Sequence, residues 1–357
     1  HLLQNIAIQI GDIRSQNYIT PLDIQIKKEI NIPLYYPKSK SNVTNSIPGH
    51  YPIQPRCRGL LTGVEWVFNR LLEEKTLSKY CPLGPIIFDS KKTGTTINSF
   101  QIAGFPVILK STSSNSKELK NIHEAYIGTQ VINNLVRYVP NFSWTFGKTI
   151  GIKGTWSTVT EYIPGKTLAN WILTQDPNRF NWMGFMSILT QLSLALEIAQ
   201  RLVGFVHWDL KPCNIIIQEV PNTVIIDYTL STENVWRIKT KLIPIIIDYG
   251  KSHVVHNGIH IGFDRMYEIP TGNDIRTLIT SSLGLFTKFR SGIPLSLQNK
   301  LLHLYKYIKP YNSWDDLLND FNQENNQTEL PEGYHTSTPL TFFLYIYMEW
   351  RTNLPFI

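Results

Sequence analysis

The residues best suited to chemistry lie in one short stretch, which reads FVHWDLKPCNIII at positions 205–217. Asp209, Lys211 and Asn214 supply a carboxylate, a cation and a side-chain amide, and an apolar run follows them. Phosphoryl transfer needs a carboxylate near the attacking hydroxyl, a cation near the transferred group and a nearby metal ligand. We therefore predict catalytic roles for these three residues, and the alternative is a chance His-x-Asp turn.

A second carboxylate ends the apolar run LIPIIIDYG at positions 242–250. Asp248 precedes an aromatic residue and Gly250, and a glycine allows a sharp turn of the chain. We predict that Asp248 is the principal ligand of Mg²⁺ and that Asn214 is the second. Asp227 in VIIDYT is the competing carboxylate, but no glycine follows it two residues later, so we interpret it as a surface residue.

One lysine interrupts the apolar strand FPVILKS, and it could grip the phosphates of a nucleotide. This residue is Lys110, and the alternative is an ordinary solvated strand lysine. Its predicted partner is Glu124 on the helical pattern of residues 116–139. Glu118 on the same pattern is the competitor, but Glu124 lies among apolar residues and is therefore expected to face the interior.

The order of predicted elements indicates an α+β fold. Residues 81–163 are rich in strand patterns and contain one helical pattern, which predicts a small β-rich N-lobe. Residues 164–357 are mainly helical and form a predicted larger C-lobe, with an inserted hairpin at about 218–244. Residues 1–80 carry no motif and are interpreted as an N-terminal extension of unknown role.

The composition is typical of a globular protein, and the small number of cysteines favours a reducing compartment. The chain has 357 residues, of which 42% are hydrophobic and 17% charged, with a net charge of +7 and three cysteines. The net positive charge is compatible with anionic binding partners. The sequence contains no arginine-rich tract, so nucleic acid is not indicated as a partner. The longest apolar stretch, 182–206, contains four charged or amide side chains, so we expect a buried helix and no membrane span.

Taken together, these motifs look like the protein kinase superfamily over about residues 84 to 280. HWDLKPCN resembles the catalytic loop, DYG the metal-binding tripeptide and VILK the phosphate-anchoring strand. The inserted hairpin and the Ile- and Asn-rich composition resemble, more narrowly, kinase-like proteins of large DNA viruses. The resemblance implies a bilobal protein-kinase-like fold, binding of ATP and Mg²⁺, and a location in the host cytoplasm or the virion.

The same resemblance implies a hinge and a brace. VTEYIPG at 159–165 is similar to the hinge, with Thr160 as the gatekeeper and with backbone groups of Glu161 and Ile163 offered to adenine. GNDIRTL is similar to the start of the helix whose aspartate, here Asp274, braces the catalytic loop.

Three departures from the family pattern matter. The phosphate loop candidate, SKKTGTTINSF at 90–100, holds a single glycine, Gly94, and an ordinary hairpin turn is the alternative. Trp208 replaces the usual arginine of the catalytic loop, so we predict no switch by an activation-loop phosphate. The segment from Asp248 to Asp274 is short and lacks Ala-Pro-Glu, which puts protein substrates in doubt more than ATP binding.

These features leave three functions open. A Ser/Thr protein kinase acting on an unknown protein is favoured by Lys211, which stands two residues after Asp209. A small-molecule kinase of the aminoglycoside- or choline-kinase type is favoured by the short segment after DYG. A pseudokinase that binds nucleotide without turnover is favoured by the degenerate phosphate loop. We expect the first.

Overall fold

The structure is a computed structural model in which part of the chain is described. The described ranges are 56–90, 94–113, 115–136, 139–150, 154–230, 235–263, 269–289, 292–309, 311–324 and 338–350. The first 55 residues of the predicted extension therefore lie outside the description.

The chain divides into two compact units. The first holds the described residues within 1–164, 229–235 and 247–266, and the second holds those within 165–228, 236–246 and 267–357. The segment that follows Asp248 thus belongs to the first unit, together with Lys110 and Glu124.

The first unit combines strands with helices that cover them. Its elements are α1 (Arg56–Glu73), α2 (Leu77–Tyr80), β1 (Ile86–Ser90), β2 (Thr95–Ile102), β3 (Phe105–Thr112), α3 (Asn115–Ile127), a π-helical turn (Gly128–Ile132), α4 (Asn133–Leu135), β4 (Thr145–Ile150), β5 (Trp156–Glu161), β9 (Val254–His256) and β10 (Ile259–Ile261).

A five-stranded antiparallel sheet forms the frame of this unit, in the order β1-β2-β3-β5-β4. Side chains alternate between the two faces of a strand, and in β3 the buried Val107 and Leu109 alternate with Ile108 and Lys110. The apolar face packs into the core that includes Phe68 of α1. Lys110 is consequently placed on the opposite face.

The second unit is mainly helical. Its elements are β6 (Lys166–Thr167), α5 (Leu168–Leu173), a 3₁₀ turn (Pro177–Arg179), α6 (Trp182–Val203), a second 3₁₀ turn (Pro212–Asn214), β7 (Ile215–Thr229), β8 (Val235–Ile246), α7 (Asn273–Phe286), α8 (Leu295–Tyr305), α9 (Trp314–Glu324) and α10 (Pro339–Trp350).

Strands β7 and β8 lie next to each other in a three-stranded sheet with β6 and are tied to the helices. Gln191 of α6 donates from Nε2 to the carbonyl oxygen of Leu242 at 2.8 Å. Trp236 of β8 packs edge-on against Phe343 of α10, with ring centroids 4.5 Å apart. These contacts hold β8 against helices α6 and α10, and β7 lies beside β8 in the sheet.

Helix α6 is the central element of the second unit. It begins at the N-cap Asn181, whose Oδ1 accepts the N–H of Gly184, and ends at Gly204 in the left-handed conformation. In the described part of the chain it is the one helix long and apolar enough to cross a bilayer, but 89% of its most apolar window is buried within the protein.

Both units match the predicted fold class. A five-stranded antiparallel sheet with helices comes first and a mainly helical region follows. The α+β, bilobal, protein-kinase-like fold expected from the sequence is confirmed.

Candidate active site

Lys110 bridges two carboxylates in the first unit. Its Nζ lies 2.9 Å from Oε2 of Glu124 and 2.6 Å from Oδ1 of Asp248. The Glu124 side chain is only 3% exposed and that of Asp248 is 41% exposed. The Lys110 ammonium is therefore bound by one buried carboxylate, Glu124, and by one partly exposed carboxylate, Asp248.

The two carboxylates stabilise the charged form of the lysine. Burial alone would lower the pKa of the Lys110 ammonium, but the carboxylates of Asp248 and Glu124 outweigh it and raise the pKa above its usual range. The lysine is thus a permanent cation at any physiological pH. A fixed cation on a rigid strand is suited to holding phosphate oxygens.

The backbone at Asp248 is in an uncommon conformation. Its φ is +68°, in the left-handed region that disfavours residues with a Cβ. The sharp turn that the sequence analysis attributes to Gly250 therefore falls on Asp248 itself, since Gly250 is not among the glycines with positive φ. A strained backbone conformation persists where the surrounding contacts impose it, and such conformations are common at functional sites.

The competing acidic residues have other partners. Oε1 of Glu118 accepts the backbone N–H of Trp156 at 2.8 Å, on the sheet beside α3. In the second unit, Asp227 forms a two-pronged pair with Arg237, at 2.7 Å and 3.0 Å. Both carboxylates are therefore engaged by partners other than Lys110.

The catalytic-loop residues form a compact group in the second unit. Nζ of Lys211 lies 2.7 Å from Oδ1 of Asp209, and Nδ2 of Asn214 donates to the carbonyl oxygen of Asp209 at 2.9 Å. The hydrogen bond to Asp209 raises the pKa of Lys211. With its Nδ2 engaged in this way, Asn214 presents Oδ1 as its oxygen donor.

Asp274 braces this loop from the start of α7. The fully buried carboxylate accepts the backbone N–H of His207 at 2.7 Å and that of Trp208 at 3.0 Å. Trp208 has a φ of +63°, so the loop backbone is strained immediately before Asp209. One hydrogen bond at the strained Trp208 and one at the preceding His207 hold the backbone of this loop.

The predicted hinge continues from β5. Thr160 lies between Ile108 of β3 and Thr145 of β4 in the sheet register, and Ile163 is buried. Glu161 binds both backbone groups of Trp144. The Glu161 N–H donates to the Trp144 carbonyl oxygen at 3.0 Å, and the Glu161 Oε1 accepts the Trp144 N–H at 2.7 Å. Burial raises the pKa of the Glu161 carboxyl to about 7, although the Trp144 N–H lowers it.

The raised pKa of Glu161 makes folding stability depend on pH. Its folded carboxyl binds a proton more tightly than the unfolded one, so the stability contributed by the protonated form is lost as pH rises from about 4.5 to beyond 7. We expect Glu161→Gln to equal the wild type at pH 5 and to exceed it by about 2 kcal/mol at pH 8. Urea unfolding at both pH values measures the difference, and parallel stability curves would contradict it.

Gly94 lies at the end of the turn between β1 and β2. It has a φ of +61°, its N–H donates to the carbonyl oxygen of Ser90 at 2.7 Å, and its carbonyl accepts the N–H of Ser113 at 2.9 Å. A Cβ at Gly94 would meet Oγ of Ser113 at 2.2 Å unless that side chain rotated, and the positive φ also favours glycine. Residues 91–93 lie outside the described ranges, and the phosphate-binding role of Gly94 stays a prediction.

Two site residues escape the sequence analysis. Oη of Tyr249 lies 2.8 Å from the backbone nitrogen of Ser143, and Nε2 of His123 lies 2.8 Å from the carbonyl oxygen of Ser252. These pairs are separated by 106 and 129 residues, so no local spacing points to them. The available signals are that His123 stands next to Glu124 and that Tyr249 follows Asp248 in DYG.

The predicted site residues thus fall into two groups. Lys110, Glu124 and Asp248 come together in the first unit, which also holds the hinge and Gly94. Asp209, Lys211 and Asn214 come together in the second. The roles predicted for these residues in binding and catalysis stay predictions.

Comparison with known proteins finds relatives in invertebrate iridescent viruses, while no family model matches. The chain is 33% identical over 271 residues to uncharacterized protein 035R of Invertebrate iridescent virus 3, which covers 67% of this chain and 24% of that protein. It is 34% identical over 223 residues to uncharacterized protein 179R of Invertebrate iridescent virus 6, which covers 55% of this chain and 18% of that protein.

A third relative carries a functional description. Probable kinase 098L of Invertebrate iridescent virus 3 is 26% identical over 270 residues, which cover 72% of this chain and 48% of that protein. The chain spans less than half the length of each of these three relatives.

Among solved structures, the kinase domain of PknI from Mycobacterium tuberculosis is similar at 13% identity and a TM-score of 0.39, over 69% of this chain and 96% of that one. The motif order, the α+β fold and the viral relatives agree with one another. The chain is a protein-kinase-like protein related to proteins of large DNA viruses, as the resemblance in its sequence predicts.

Proposed function

We propose that this chain is an ATP- and Mg²⁺-dependent phosphotransferase that transfers the γ-phosphoryl group to a Ser or Thr hydroxyl of a protein. The observation that carries the proposal is the bridge from Lys110 to Glu124 and Asp248, at 2.9 Å and 2.6 Å. The relative described as a probable kinase supports the same reaction class.

The nucleotide would be held by the first unit. Lys110 offers a permanently charged ammonium to the phosphates, and Glu124 keeps that ammonium in place. The backbone carbonyl of Glu161, whose N–H is already engaged by Trp144, and the backbone groups of Ile163 would receive the adenine. This role of the hinge stays a proposal that follows from the order of motifs.

The oxygen donors fit a hard divalent cation. Mg²⁺ prefers carboxylate and amide oxygens and keeps several waters. Asp248 offers a partly exposed carboxylate, and Asn214 offers Oδ1 because its Nδ2 is engaged by Asp209. When bound, the metal would neutralise charge on the phosphate oxygens.

The transfer itself would depend on the catalytic loop. Asp209 orients the acceptor hydroxyl and takes its proton while the hydroxyl oxygen bonds to the γ-phosphorus and the bond to the β-phosphate oxygen breaks. Lys211, 2.7 Å from Asp209, would neutralise charge that develops on the transferred group. The leaving group is ADP.

One observation keeps a small-molecule acceptor as the second candidate. The segment after Asp248 folds as the hairpin β9–β10, and its His256 packs edge-on against Tyr126 of α3. A segment already engaged with a helix of its own unit offers less free backbone for docking a peptide. Labelling of a protein acceptor by radioactive ATP distinguishes the two acceptor classes.

The proposal is tested by nucleotide binding with and without Mg²⁺. We expect Mg²⁺ to tighten ATP binding by the wild type and Asp248→Asn to lower that gain about tenfold, because a charged oxygen ligand is lost. The matched control is Asp227→Asn, which makes the same chemical change at the carboxylate paired with Arg237. The control should retain the Mg²⁺ effect.

The reverse pattern would overturn the assignment. Loss of the Mg²⁺ effect in Asp227→Asn alone would identify Asp227, on the hairpin of β7 and β8, as the metal ligand. A wild-type chain that binds no nucleotide under either condition would contradict the proposed function altogether.

A further inference from the structure

Strand β8 carries a row of positively charged side chains on its exposed face. Arg237, Lys239 and Lys241 are exposed, and they alternate with Ile238 and Thr240, which are 1% and 7% exposed. Successive side chains of a strand point to opposite faces, so the three cations share one face and lie about 6.7 Å apart along it. Because the residues between them are buried, the strand holds this row at a defined spacing.

The carboxylates of the neighbouring strand β7 compensate only part of this charge. Asp227 pairs with Arg237, and the other acidic residue of β7, Glu219, lies eight residues away, about 26 Å along the strand. Lys239 and Lys241 form no ion pair with the residues that the structure describes. Cations spaced at less than a Debye length repel one another, and an anionic partner would relieve this repulsion.

Strand β8 is also the outermost strand of its sheet, which has the order β6-β7-β8. An edge strand presents backbone N–H and C=O groups that can pair with an added strand. Pro244 has no N–H, so the stretch available for pairing lies before it. A peptide that pairs with this stretch places every second side chain beside the row of cations.

We propose that the edge of β8 is a docking site for an acidic, extended segment of a partner protein, with carboxylates at every second residue. Carboxylates in such a segment repeat at about 6.7 Å, which matches the spacing of Arg237, Lys239 and Lys241. The peptide backbone would supply the pairing, and the alternating carboxylates would supply the selectivity. This docking site is independent of the proposed phosphotransfer.

Two other occupants fit this surface less well. A second copy of β8 paired in register would set the cations of both copies side by side, which is destabilising. Single-stranded nucleic acid binds through aromatic rings on which its bases stack. The two aromatic residues of β7 and β8 do not offer such rings, because Tyr228 is buried and Trp236 packs against Phe343 of α10.

The test compares two short peptides of equal composition at low ionic strength. In the first, glutamate alternates with threonine, and in the second, all glutamates stand in one block. We expect the full chain to bind the alternating peptide about tenfold more tightly, because the block places half of its carboxylates on the far face. Added salt should weaken this binding, and amide hydrogen exchange of residues 237–241 should slow when the peptide is bound.

Variants at the two unpaired lysines locate the binding site. Lys239→Gln/Lys241→Gln should lower the affinity for the alternating peptide about tenfold. The matched control is Lys288→Gln/Lys306→Gln, which removes the same charge from exposed positions at the ends of α7 and α8 and should change the affinity less than about twofold. The charge-reversed variant Lys239→Glu/Lys241→Glu should instead prefer a peptide that alternates lysine with threonine. Urea unfolding checks that all variants keep the stability of the wild type, as expected for exposed side chains.

Several results would overturn the inference. Equal affinity for the two glutamate peptides, or an equal loss in both glutamine double variants, would reduce the binding to general electrostatic attraction. Absence of binding at low ionic strength, or protection from exchange only outside β8, would exclude the docking site. Tighter binding of a single-stranded oligonucleotide that is lost in Lys239→Gln/Lys241→Gln would assign the surface to nucleic acid instead.

Discussion

Asp209→Asn is expected to lower the rate of phosphoryl transfer about 1,000-fold and to leave ATP affinity within about twofold of the wild type. The amide has the same shape but accepts no proton and carries no charge. The Asp209 carboxylate lies 2.7 Å from Nζ of Lys211, whose charge would then lack its partner. Transfer of label from Mg-ATP to the chain itself and to a generic basic protein measures the rate, and equilibrium binding measures the affinity.

The matched control for this variant is Asp176→Asn. Asp176 is an exposed aspartate of the second unit, and its carboxylate caps the turn at Pro177–Arg179 through the N–H of Asn178. Asparagine serves equally well as a cap, so transfer should be unaffected. Full activity in Asp209→Asn would remove that residue from the catalytic role, and binding without labelling of any protein acceptor by the wild type would favour a small-molecule kinase or a pseudokinase.

The features that the sequence predicts well are those encoded within a few residues. The group Asp209, Lys211 and Asn214 lies within one loop, and its hydrogen bonds join atoms no more than five residues apart. The α+β order follows from hydrophobic periods that are equally local. The preference for Glu124 over Glu118 also rests on the neighbours of each residue along one helix; in the structure Glu124 pairs with Lys110 and Glu118 accepts the backbone N–H of Trp156.

The features that the sequence does not reveal depend on contacts between distant residues. Nothing near Ser143 indicates that its backbone will meet the phenol of Tyr249, because the pairing arises only when the sheet and the later segment fold together. The strained residue is likewise Asp248 rather than Gly250, since the conformation is imposed by surrounding contacts and not by the intrinsic preference of glycine. Helix α1 carries no motif, yet Phe68 on it is fully buried in the core.

The second large effect is expected for Lys110→Met. Methionine fills similar space but leaves the Glu124 carboxylate, 3% exposed, without its cation. Breaking a buried pair by removing one partner typically costs about 3–5 kcal/mol of folding stability, and we expect the lower end because the Tyr249 N–H still reaches Glu124. ATP affinity should fall about 100-fold, since a permanent cation at the phosphates is lost. Urea unfolding and equilibrium binding measure the two effects.

The double variant Lys110→Met/Glu124→Gln separates these two effects. Neutralising Glu124 removes the buried uncompensated charge, so part of the stability lost in Lys110→Met should return while ATP affinity stays low. Lys148→Met is the matched control on β4, because Nζ of Lys148 is exposed over the Trp156 ring at 4.5 Å and should contribute less than about 1 kcal/mol. If the double variant recovered ATP binding together with stability, Lys110 would be a structural partner of Glu124 and the phosphates would have to be held by another cation.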